Sequence, residues 1–426
     1  MSNGLIALLD EKEIGRVSRD SRGRLRFLYN DDWRNGADGY PLSLSMPLGA
    51  KEHGHSVVEA FLWNLLPDNE RVLARWAAKF HVSARNVFAL ISHVGEDCAG
   101  AVQFVTPERL EARRRGREDN VEWVNESQIA NRLETLRKDP AAWRLPSDTG
   151  QFSLAGVQPK TALLLQNDRW GIPSGRLPTT HILKPPTGQF DGHAENEHIC
   201  LMLARELGLP AAQTNVTRFK NEIAIVIERY DRFRKGNDIV RVHQEDVCQA
   251  LSIMPTQKYQ NEGGPGPLDI VQLLRTYSTG REEDLDTFIG ALGFNWLVAG
   301  TDAHAKNFSL LLGGRGVRLA PLYDIASILP YDGIDIRKVK FAMKIGGEYN
   351  LNQIGLRQWQ KFAREVRIEP EKLVARLTAM AKQLPDEVNV ARVRAGEQGL
   401  DAAIIGRLAT KLIERASACE RRLGRT

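Results

Sequence analysis

This sequence of 426 residues lacks the features that define several classes of protein. Its four cysteines, Cys98, Cys200, Cys248 and Cys419, form no C-x-x-C motif, which excludes a zinc ribbon and a disulfide framework. The best apolar run, residues 291–300, is shorter than the ~18 residues that span a bilayer. Because the N-terminus has no basic stretch followed by an apolar core, we expect no secretory signal, no membrane association and a cytoplasmic location.

An excess of charge of one sign is also missing. The 58 Lys and Arg residues exceed the 53 Asp and Glu residues by 5, too even a balance to indicate a nucleic-acid-binding protein. The charge is nevertheless uneven, since Arg113, Arg114, Arg115 and Arg117 form one cluster and the last 26 residues carry six Lys and Arg against three Asp and Glu. These clusters either contact DNA phosphates or an acidic partner, or they are solvated helix faces and loops.

Hydrophobic periodicity predicts an α+β protein whose strands precede its helices. Alternating or continuous apolar runs predict strands at residues 5–9, 25–29, 41–46, 160–165, 179–184 and 223–227. Apolar residues at three- and four-residue steps predict helices at residues 57–80 with a break at Pro67, and at 196–207, 285–297, 356–383 and 401–424. We therefore divide the chain into an N-terminal α/β subdomain (1–110), a connecting segment (111–148), a strand-rich lobe (149–265) and a helical C-terminal lobe (266–426).

The most informative segment follows the helix at 285–297 and contains Asp302 and Asn307, five residues apart. Protein kinases use this separation in their catalytic loop, where the Asp accepts the substrate hydroxyl proton and the Asn holds magnesium. Asp324 follows a short apolar strand, as the second metal-binding Asp of kinases does. Mg²⁺ takes one or two carboxylates together with phosphate oxygens and water, so Asn307 and Asp324 are its candidate ligands.

Two further elements fit a nucleotide. Lys184 ends an apolar strand, where a lysine can pair with the α- and β-phosphates of ATP. The loop at 151–160 can place backbone N–H groups over a triphosphate, although it is neither a G-x-G-x-x-G nor a Walker sequence. Each element alone has an ordinary alternative, namely a chance spacing, a turn, a solvated lysine or a plain loop. Their order along one chain favours a nucleotide-dependent phosphotransferase.

The sequence resembles the HipA-type serine/threonine kinases, the toxins of HipBA toxin–antitoxin modules. The resemblance covers nearly the whole chain and rests on the ordered strings Tyr40–Leu48, Asn64–Asp68, Ser153–Leu163, Thr180–Pro185, Glu195–Glu197, Glu228–Arg232, His243–Gln249, Thr301–Phe308 and Tyr323–Ile325. It implies a kinase-like two-lobed fold, akin to the lipid and protein kinase superfamily, with an extra N-terminal α/β subdomain.

The resemblance also implies roles for individual residues. Asp302 would be the catalytic base, Asn307 and Asp324 would hold Mg²⁺, and Ser153 matches the autophosphorylated serine of the family. The residues that would bind ATP are Ala155, Gly156, Val157, Gln158, Pro159, Lys160, Lys184, Glu228, Arg229, Tyr230, His304, Lys306 and Tyr323. Phosphate on Ser153 would add about −1.5 to −2 charge to the ATP-covering loop and inactivate the kinase by expelling the loop.

The family further implies a protein substrate, of which glutamate tRNA synthetase is the known type, and a HipB-like helix-turn-helix antitoxin that represses the operon on operator DNA. The two basic clusters would then lie near DNA. Two alternatives stay open: a catalytically weak corepressor that acts through the antitoxin, and a kinase for a small molecule or lipid head group, since a fold does not fix a substrate.

Overall fold

The computed structural model describes residues 4–115, 119–144, 152–186, 192–236 and 238–424. The strands are β1 (Gly4–Leu9), β2 (Lys12–Arg19), β3 (Leu25–Tyr29), β4 (Glu52–His53), β5 (Gln103–Val105), β6 (Asn120–Val124), β7 (Thr161–Gln166), β8 (Arg169–Ser174), β9 (His181–Lys184), β10 (Thr214–Phe219), β11 (Glu222–Glu228), β12 (Arg232–Lys235), β13 (Asp238–Arg241), β14 (His243–Asp246), β15 (Ser309–Gly313), β16 (Gly316–Leu319), β17 (Lys340–Ile345) and β18 (Glu348–Asn350).

The helices are α1 (Asp31–Asn35), α2 (His55–Asn64), α3 (Glu70–Phe80), α4 (Val87–Val94), α5 (Pro107–Arg114), α6 (Glu126–Lys138), α7 (His193–Glu206), α8 (Val247–Ala250), α9 (Pro267–Tyr277), α10 (Arg281–Val298), α11 (Leu356–Glu365), α12 (Pro370–Glu397) and α13 (Ala402–Leu423). Short 3₁₀ helices lie at Pro255–Gln257, Gln260–Glu262 and Ala305–Asn307. No helix in the described ranges combines the length and apolar composition needed to cross a membrane.

The chain forms two compact units that interleave along the sequence. The first comprises Met1–Pro185, Arg218–Thr256 and Ser309–Val317, and the second comprises Pro186–Thr217, Gln257–Phe308 and Arg318–Thr426. Helices and antiparallel sheets occur together, which confirms the α+β prediction. Our four-part division at 110, 148 and 265 stays a prediction.

The first unit contains a five-stranded sheet in the order β4-β3-β2-β1-β5. Strand β2, which the sequence analysis did not predict, follows β1 through a two-residue turn in which Asp10 and Glu11 have φ values of 49° and 62°. Left-handed residues at both positions are typical of a tight hairpin. The apolar face of this sheet packs with α2, α3 and α4 in a core that also contains Phe152 and Leu154.

A six-stranded sheet has the order β10-β11-β9-β7-β8-β6, with α6 packed near β11. Its strands β7, β9 and β11 lie where apolar runs predicted them. Strand β6 and helix α6 lie within residues 111–148, so this segment supplies an edge strand and a helix as well as a connection. A three-stranded sheet has the order β14-β15-β16, and its β14 and β15 pair residues that are more than 60 positions apart along the chain.

The predicted strand at residues 41–46 is wrong. Ser43 and Met46 form only an isolated bridge, and the surrounding backbone turns. The backbone N–H of Leu44 donates to the Glu245 carboxylate at 2.8 Å, and the hydroxyl of Ser45 donates to the carbonyl of Gln249 at 2.9 Å. The polar groups of this segment are therefore satisfied by distant partners rather than by a neighbouring strand.

The second unit is built around α10, which is buried on nearly all sides from Asp284 to Val298. Gly290 and Gly293 let α12 approach closely, because a Cβ at these positions would lie 2.4 Å from Arg376 Nη2 and 2.1 Å from Leu377 Cδ2. The predicted helix at 356–383 is two helices, α11 and α12, with Pro370 in the first turn of α12. Helix α12 then continues through Pro385 to Glu397.

Candidate active site

The loop that carries Asp302 begins where α10 ends. Ala299 adopts the left-handed conformation, with φ of 54°, and the N–H of Gly300 closes the helix on the carbonyl of Asn295 at 2.8 Å. Within the loop, the side-chain amide of Asn307 donates to the backbone carbonyl of Asp302 at 2.8 Å. The five-residue separation thus brings the two residues together. The bond uses the amide N–H, and the same side chain also carries the carbonyl oxygen that a hard cation takes.

The carboxylate of Asp302 is held by a residue that the sequence analysis missed. The hydroxyl of Tyr259 donates to Asp302 Oδ1 at 2.7 Å. Desolvation raises the pKa of the Asp302 carboxyl above its ordinary value, and the negative charge of Asp324 raises it further. The hydrogen bond from Tyr259 and the positive charge of Lys258 lower this pKa, but they do not cancel the increase. Asp302 remains accessible to solvent, so it combines an oriented carboxylate with an open side.

Asp324 belongs to the same unit and is close enough to Asp302 for their charges to interact. It has a φ of 58°, a left-handed conformation that Asp tolerates better than most residues and that often marks functional sites. Among the described residues, no group of three or more His, Cys, Asp or Glu side chains is suited to a metal ion. Asn307 and Asp324 offer two oxygen donors, which fits Mg²⁺ because this ion takes few protein ligands when phosphates and water complete its shell.

Three other predicted residues belong to the second unit: His304 and Lys306 lie within this loop, and Tyr323 contacts it. The Tyr323 hydroxyl donates to the carbonyl of Lys306 at 2.7 Å, which ties the Asp324 segment to the Asp302 loop. His304 is buried, and its ring lies edge-on to Tyr259 at 4.9 Å between centroids. Lys306 is also buried. Their contacts with ATP phosphates stay predictions.

The loop predicted at 151–160 lies in the first unit, and its segment Ser153–Lys160 is called the phosphate loop below. Ser153 is 0% exposed, its hydroxyl donates to the carbonyl of Leu65 at 2.7 Å, and its N–H donates to the carbonyl of Asp97 at 3.0 Å. The flanking Phe152 and Leu154 are buried in the N-terminal core. Gln151, the first residue of the loop predicted at 151–160, lies outside the described residues. The start of the loop is therefore firmly packed.

The tip of the phosphate loop is more open. Gly156 has a φ of 104°, which only glycine adopts readily, and its carbonyl accepts the N–H of Asp68 at 3.0 Å. Lys160 is buried; its ammonium group donates to the carbonyl of Ala155 at 2.7 Å and lies 5.1 Å from the centre of the Trp143 ring. Val157 is 54% exposed. The tip thus presents backbone and an apolar side chain to solvent.

Lys184 is buried at the end of β9, opposite Ile225 of β11. The predicted adenine-contacting segment, Glu228–Arg232, follows and is called the hinge below. Glu228 pairs with His181 and is exposed, whereas the Arg229 side chain is fully engaged with Asp97, Asp231 and Thr179. The Arg229 N–H also donates to the carbonyl of Thr180 at 2.9 Å, and the Arg229 carbonyl accepts the N–H of Arg232 at 3.1 Å. The contact of Arg229 with ATP stays a prediction.

Tyr230 of the hinge hydrogen-bonds through its hydroxyl to Gln244. The ion-pair network around Asp97, like Tyr259, was missed by the sequence analysis. The only sequence signal of this network is the group of charged residues from Arg229 to Arg232, and nothing in the sequence identifies Asp97 as the ion-pair partner of these arginines.

One arginine of each basic cluster is used differently from our expectation. The Arg113 side chain is buried and donates to Glu96 Oε2 at 2.8 Å and to the carbonyl of Gly175 at 3.1 Å, so its assignment to DNA contact is wrong. Arg114 and Arg115 are exposed, and Arg117 lies outside the described residues. In the C-terminal helix α13, Arg415 donates to the carbonyl of Trp296 at 2.6 Å.

Comparison with known proteins places this chain in a family. The protein-family model of the HipA-like C-terminal domain matches residues 152–388, and that of the HipA N-terminal domain matches residues 5–105. A protein of Sinorhizobium fredii named "Putative kinase Y4mE" is 34% identical over 96% of this chain and 96% of its own length. The serine/threonine-protein kinase toxin HipA of Shewanella oneidensis is 30% identical over 98% of this chain and 95% of its own length.

The fold agrees with the sequence comparison. A chain in the solved complex of the Shewanella oneidensis toxin–antitoxin system, containing HipA, HipB and operator DNA, matches with a TM-score of 0.82 and 27% identity. The match covers 99% of this chain and 97% of that chain. This agreement confirms the kinase-like two-lobed fold class that the resemblance implied. The chain therefore belongs to the HipA family of kinases.

Proposed function

We propose that this protein is an ATP-dependent serine/threonine protein kinase and the toxin of a toxin–antitoxin module. The observation that carries the proposal is the loop in which Tyr259 orients the Asp302 carboxylate while the Asn307 amide is fixed on the Asp302 backbone. A carboxylate beside two oxygen donors for a cation is the arrangement that phosphoryl transfer requires. The similarity to a named serine/threonine kinase toxin supports the same assignment.

In this proposal the chemistry is mostly positioning and charge compensation. The Asp302 carboxylate accepts the proton of a serine or threonine hydroxyl as the hydroxyl oxygen bonds to the γ-phosphorus. The bond from that phosphorus to its bridging oxygen breaks, and ADP leaves with the electron pair. Asn307 and Asp324 would hold Mg²⁺, which neutralises phosphate charge when bound. Lys306 would add positive charge within the same unit, and His304 would add a ring N–H donor.

The first unit would bind the nucleotide itself. Lys184 supplies a buried ammonium group for the α- and β-phosphates, and residues 155–160 supply the backbone of the phosphate loop. The hinge residues Glu228 and Tyr230 would line the adenine, and Arg229 would join them through the second lone pair of its backbone carbonyl. Tyr323 of the second unit is a further ATP-binding candidate.

The test is phosphate incorporation from labelled ATP with Mg²⁺, read by mass spectrometry. We expect Asp302→Asn to reduce incorporation about a hundredfold or more, because the proton acceptor is lost. The matched control is Asp286→Asn, which removes a carboxylate on α10 that is ion-paired with Arg376 at 2.8 Å and largely exposed. Equal activity of the wild type and Asp302→Asn would refute the assigned base.

Ser153 is our proposed site of autophosphorylation. Its hydroxyl is buried against the carbonyl of Leu65, so the phosphate loop must leave its packed position before the hydroxyl can react. A phosphate brings about −1.5 to −2 charge, and the neighbouring carbonyls of Leu65 and Asp97 are acceptors that repel it. We expect the modified loop to stay displaced and ATP turnover to stop. Normal ATP turnover by protein phosphorylated on Ser153 would contradict this.

The proposed partners are a HipB-like helix-turn-helix antitoxin and, through it, operator DNA, because a similar chain was solved with both. The proposed substrate is a protein, with glutamate tRNA synthetase as the first candidate. Reconstitution with the antitoxin and operator, with and without ATP, separates the two activities. Operator repression together with no phosphate transfer to any protein by fresh, unphosphorylated enzyme would favour a corepressor without kinase function.

A further inference from the structure

The segment Asp97–Gly100 contacts two of the parts of the first unit that we assign to nucleotide binding, the hinge and the phosphate loop. This segment lies between α4 and β5, within the N-terminal domain, and far along the sequence from the hinge and from the phosphate loop. It contains no residue of the predicted ATP site. Its hydrogen bonds to the two elements are nevertheless numerous and almost entirely buried.

The hinge is held by side-chain and main-chain groups of this segment. Asp97 Oδ1 accepts from Arg232 Nη2 at 2.9 Å, and its Oδ2 accepts from Arg229 Nη1 at 3.4 Å. The carbonyl of Cys98 accepts from Arg229 Nη2 at 2.8 Å. The N–H of Gly100 donates to the Asp231 carboxylate at 2.7 Å. The segment therefore contacts three of the five hinge residues.

The phosphate loop is held by the same aspartate through its main chain. The carbonyl of Asp97 accepts the N–H of Ser153 at 3.0 Å, beside the hydrogen bond from the Ser153 hydroxyl to Leu65. Phe152 and Leu154 fix the loop on either side by packing in the N-terminal core. One residue thus supports the hinge with its carboxylate and the phosphate loop with its carbonyl.

The charge balance shows what the Asp97 carboxylate does. Arg229, Arg232 and Arg241 converge on Asp97 and Asp231, and all five side chains are at most 9% exposed. Burial alone would raise the pKa of Asp97, but the three guanidinium groups hold it below its ordinary value. Without the Asp97 charge, three buried cations would face a single carboxylate, which is a strongly unfavourable arrangement. The arginines of the hinge would then move apart.

We propose that Asp97 is a positioning residue for nucleotide binding, which sets the hinge and the phosphate loop in place together. The N-terminal domain is then part of the nucleotide-binding apparatus rather than an appended module. The proposal rests on the proposed function, since it assigns a task in ATP binding. It also makes a structural statement, that the two segments loosen together, which can be tested without any activity.

The experiment compares Asp97→Asn with Glu96→Gln in the full chain. Glu96 is the adjacent residue and also carries a buried carboxylate, but its ion pairs are with Arg109 and Arg113 and not with hinge residues. Binding of ATP with Mg²⁺ is measured by calorimetry, and hydrogen exchange is followed for residues 152–158 and 228–232. We expect Asp97→Asn to weaken ATP binding about tenfold and to raise KM more than it lowers kcat. Exchange should accelerate in both segments, and Glu96→Gln should change neither.

Two outcomes overturn the proposal: equal effects of the two variants, or faster exchange in only one of the segments. If Asp97→Asn does not fold, Thr179→Val takes its place, because the Thr179 hydroxyl donates to Asp97 at 2.6 Å and accepts from Arg229 at 2.9 Å. Its control is Thr214→Val, which removes a buried hydroxyl that bonds His198 at 2.9 Å in the second unit. If the wild type fails to bind ATP, the proposed function fails, whereas the exchange comparison still decides whether Asp97 supports both segments.

Discussion

Replacement of Glu245 by Gln should stabilise this protein, and the gain should grow with pH. Glu245 lies in β14 with 1% exposure, and its carboxyl accepts the Leu44 N–H at 2.8 Å. Burial raises the pKa of this carboxyl to about 8, and the neighbouring Asp246 charge acts in the same direction. The folded protein therefore keeps a proton on Glu245 at neutral pH, whereas the unfolded chain releases it.

The sign of the effect follows from proton linkage. Between the unfolded pKa of 4.5 and the folded pKa of about 8, the folded state binds more protons, so the stability associated with Glu245 falls as pH rises. A pKa difference of one unit corresponds to about 1.4 kcal/mol. The free energy of unfolding of the wild type should therefore be lower than that of Glu245→Gln by about 1 kcal/mol at pH 5, about 3 kcal/mol at pH 7 and about 4 kcal/mol at pH 8. Gln has the same shape and keeps the acceptor for Leu44.

The assay is urea unfolding of wild type and Glu245→Gln at pH 5, 6, 7 and 8, followed by circular dichroism. The difference in unfolding free energy should rise by about 1 kcal/mol per pH unit above pH 5. Glu222→Gln is the control, because Glu222 is ion-paired with Arg137 at 2.7 Å and its loss should destabilise the protein. A Glu245→Gln gain that is equal at pH 5 and pH 8, or a loss of stability at pH 8, would refute the reasoning.

Three other predictions concern the site and a buried cation. Tyr259→Phe should lower kcat about fivefold with little change in ATP affinity, because the hydrogen bond that orients Asp302, which contributes about 1 kcal/mol, is lost. Steady-state kinetics at saturating ATP measures kcat, and an unchanged kcat would contradict the prediction. Gly156→Ala should weaken ATP binding about tenfold, because residue 156 has a φ of 104° and a Cβ there would lie 2.5 Å from Lys160 Nζ. The control Gly313→Ala, whose Cβ would lie in open space, should leave ATP binding unchanged, and calorimetry compares the two variants. Arg113→Ala should lower the free energy of unfolding by about 2 kcal/mol without changing operator affinity, because the buried Glu96 carboxylate loses one of its two guanidinium partners while Arg109 remains. Urea unfolding and a DNA-binding titration measure the two effects, and weaker DNA binding at unchanged stability would contradict the prediction.

The sequence predicted those helices and strands whose apolar pattern lies within a short stretch of the chain. The apolar runs at β9 and β11 and the stepwise apolar face of α10 depend on neighbours within one turn or one strand, so the sequence indicates them directly. The strand expected at residues 41–46 shows the opposite case. Its alternating pattern is typical of a strand, but the partners of Leu44 and Ser45 are about 200 residues away, and they favour a turn.

The candidate site divides in the same way. The spacing of Asp302 and Asn307 is local, and the structure brings the two residues together through a single hydrogen bond. Tyr259 is 43 residues from Asp302, and Asp97 is 135 residues from Arg232, so neither pairing leaves a pattern within a short window. Arg113 was assigned to solvent or DNA because arginine runs are usually exposed, but the carboxylate of Glu96 stabilises it inside the protein.

The interleaving of the two units has a consequence for the order in which the chain can mature on the ribosome. Strand β14, whose four residues are all buried, pairs with β15, which begins only at Ser309. At about 5–20 residues per second, that strand is made roughly 15 to 60 seconds after residue 1 of this sequence. Until then the nascent first unit carries an open sheet edge, and chaperones or premature pairing can engage it. A messenger truncated before codon 309 should therefore yield an aggregation-prone fragment rather than a free-standing nucleotide-binding unit.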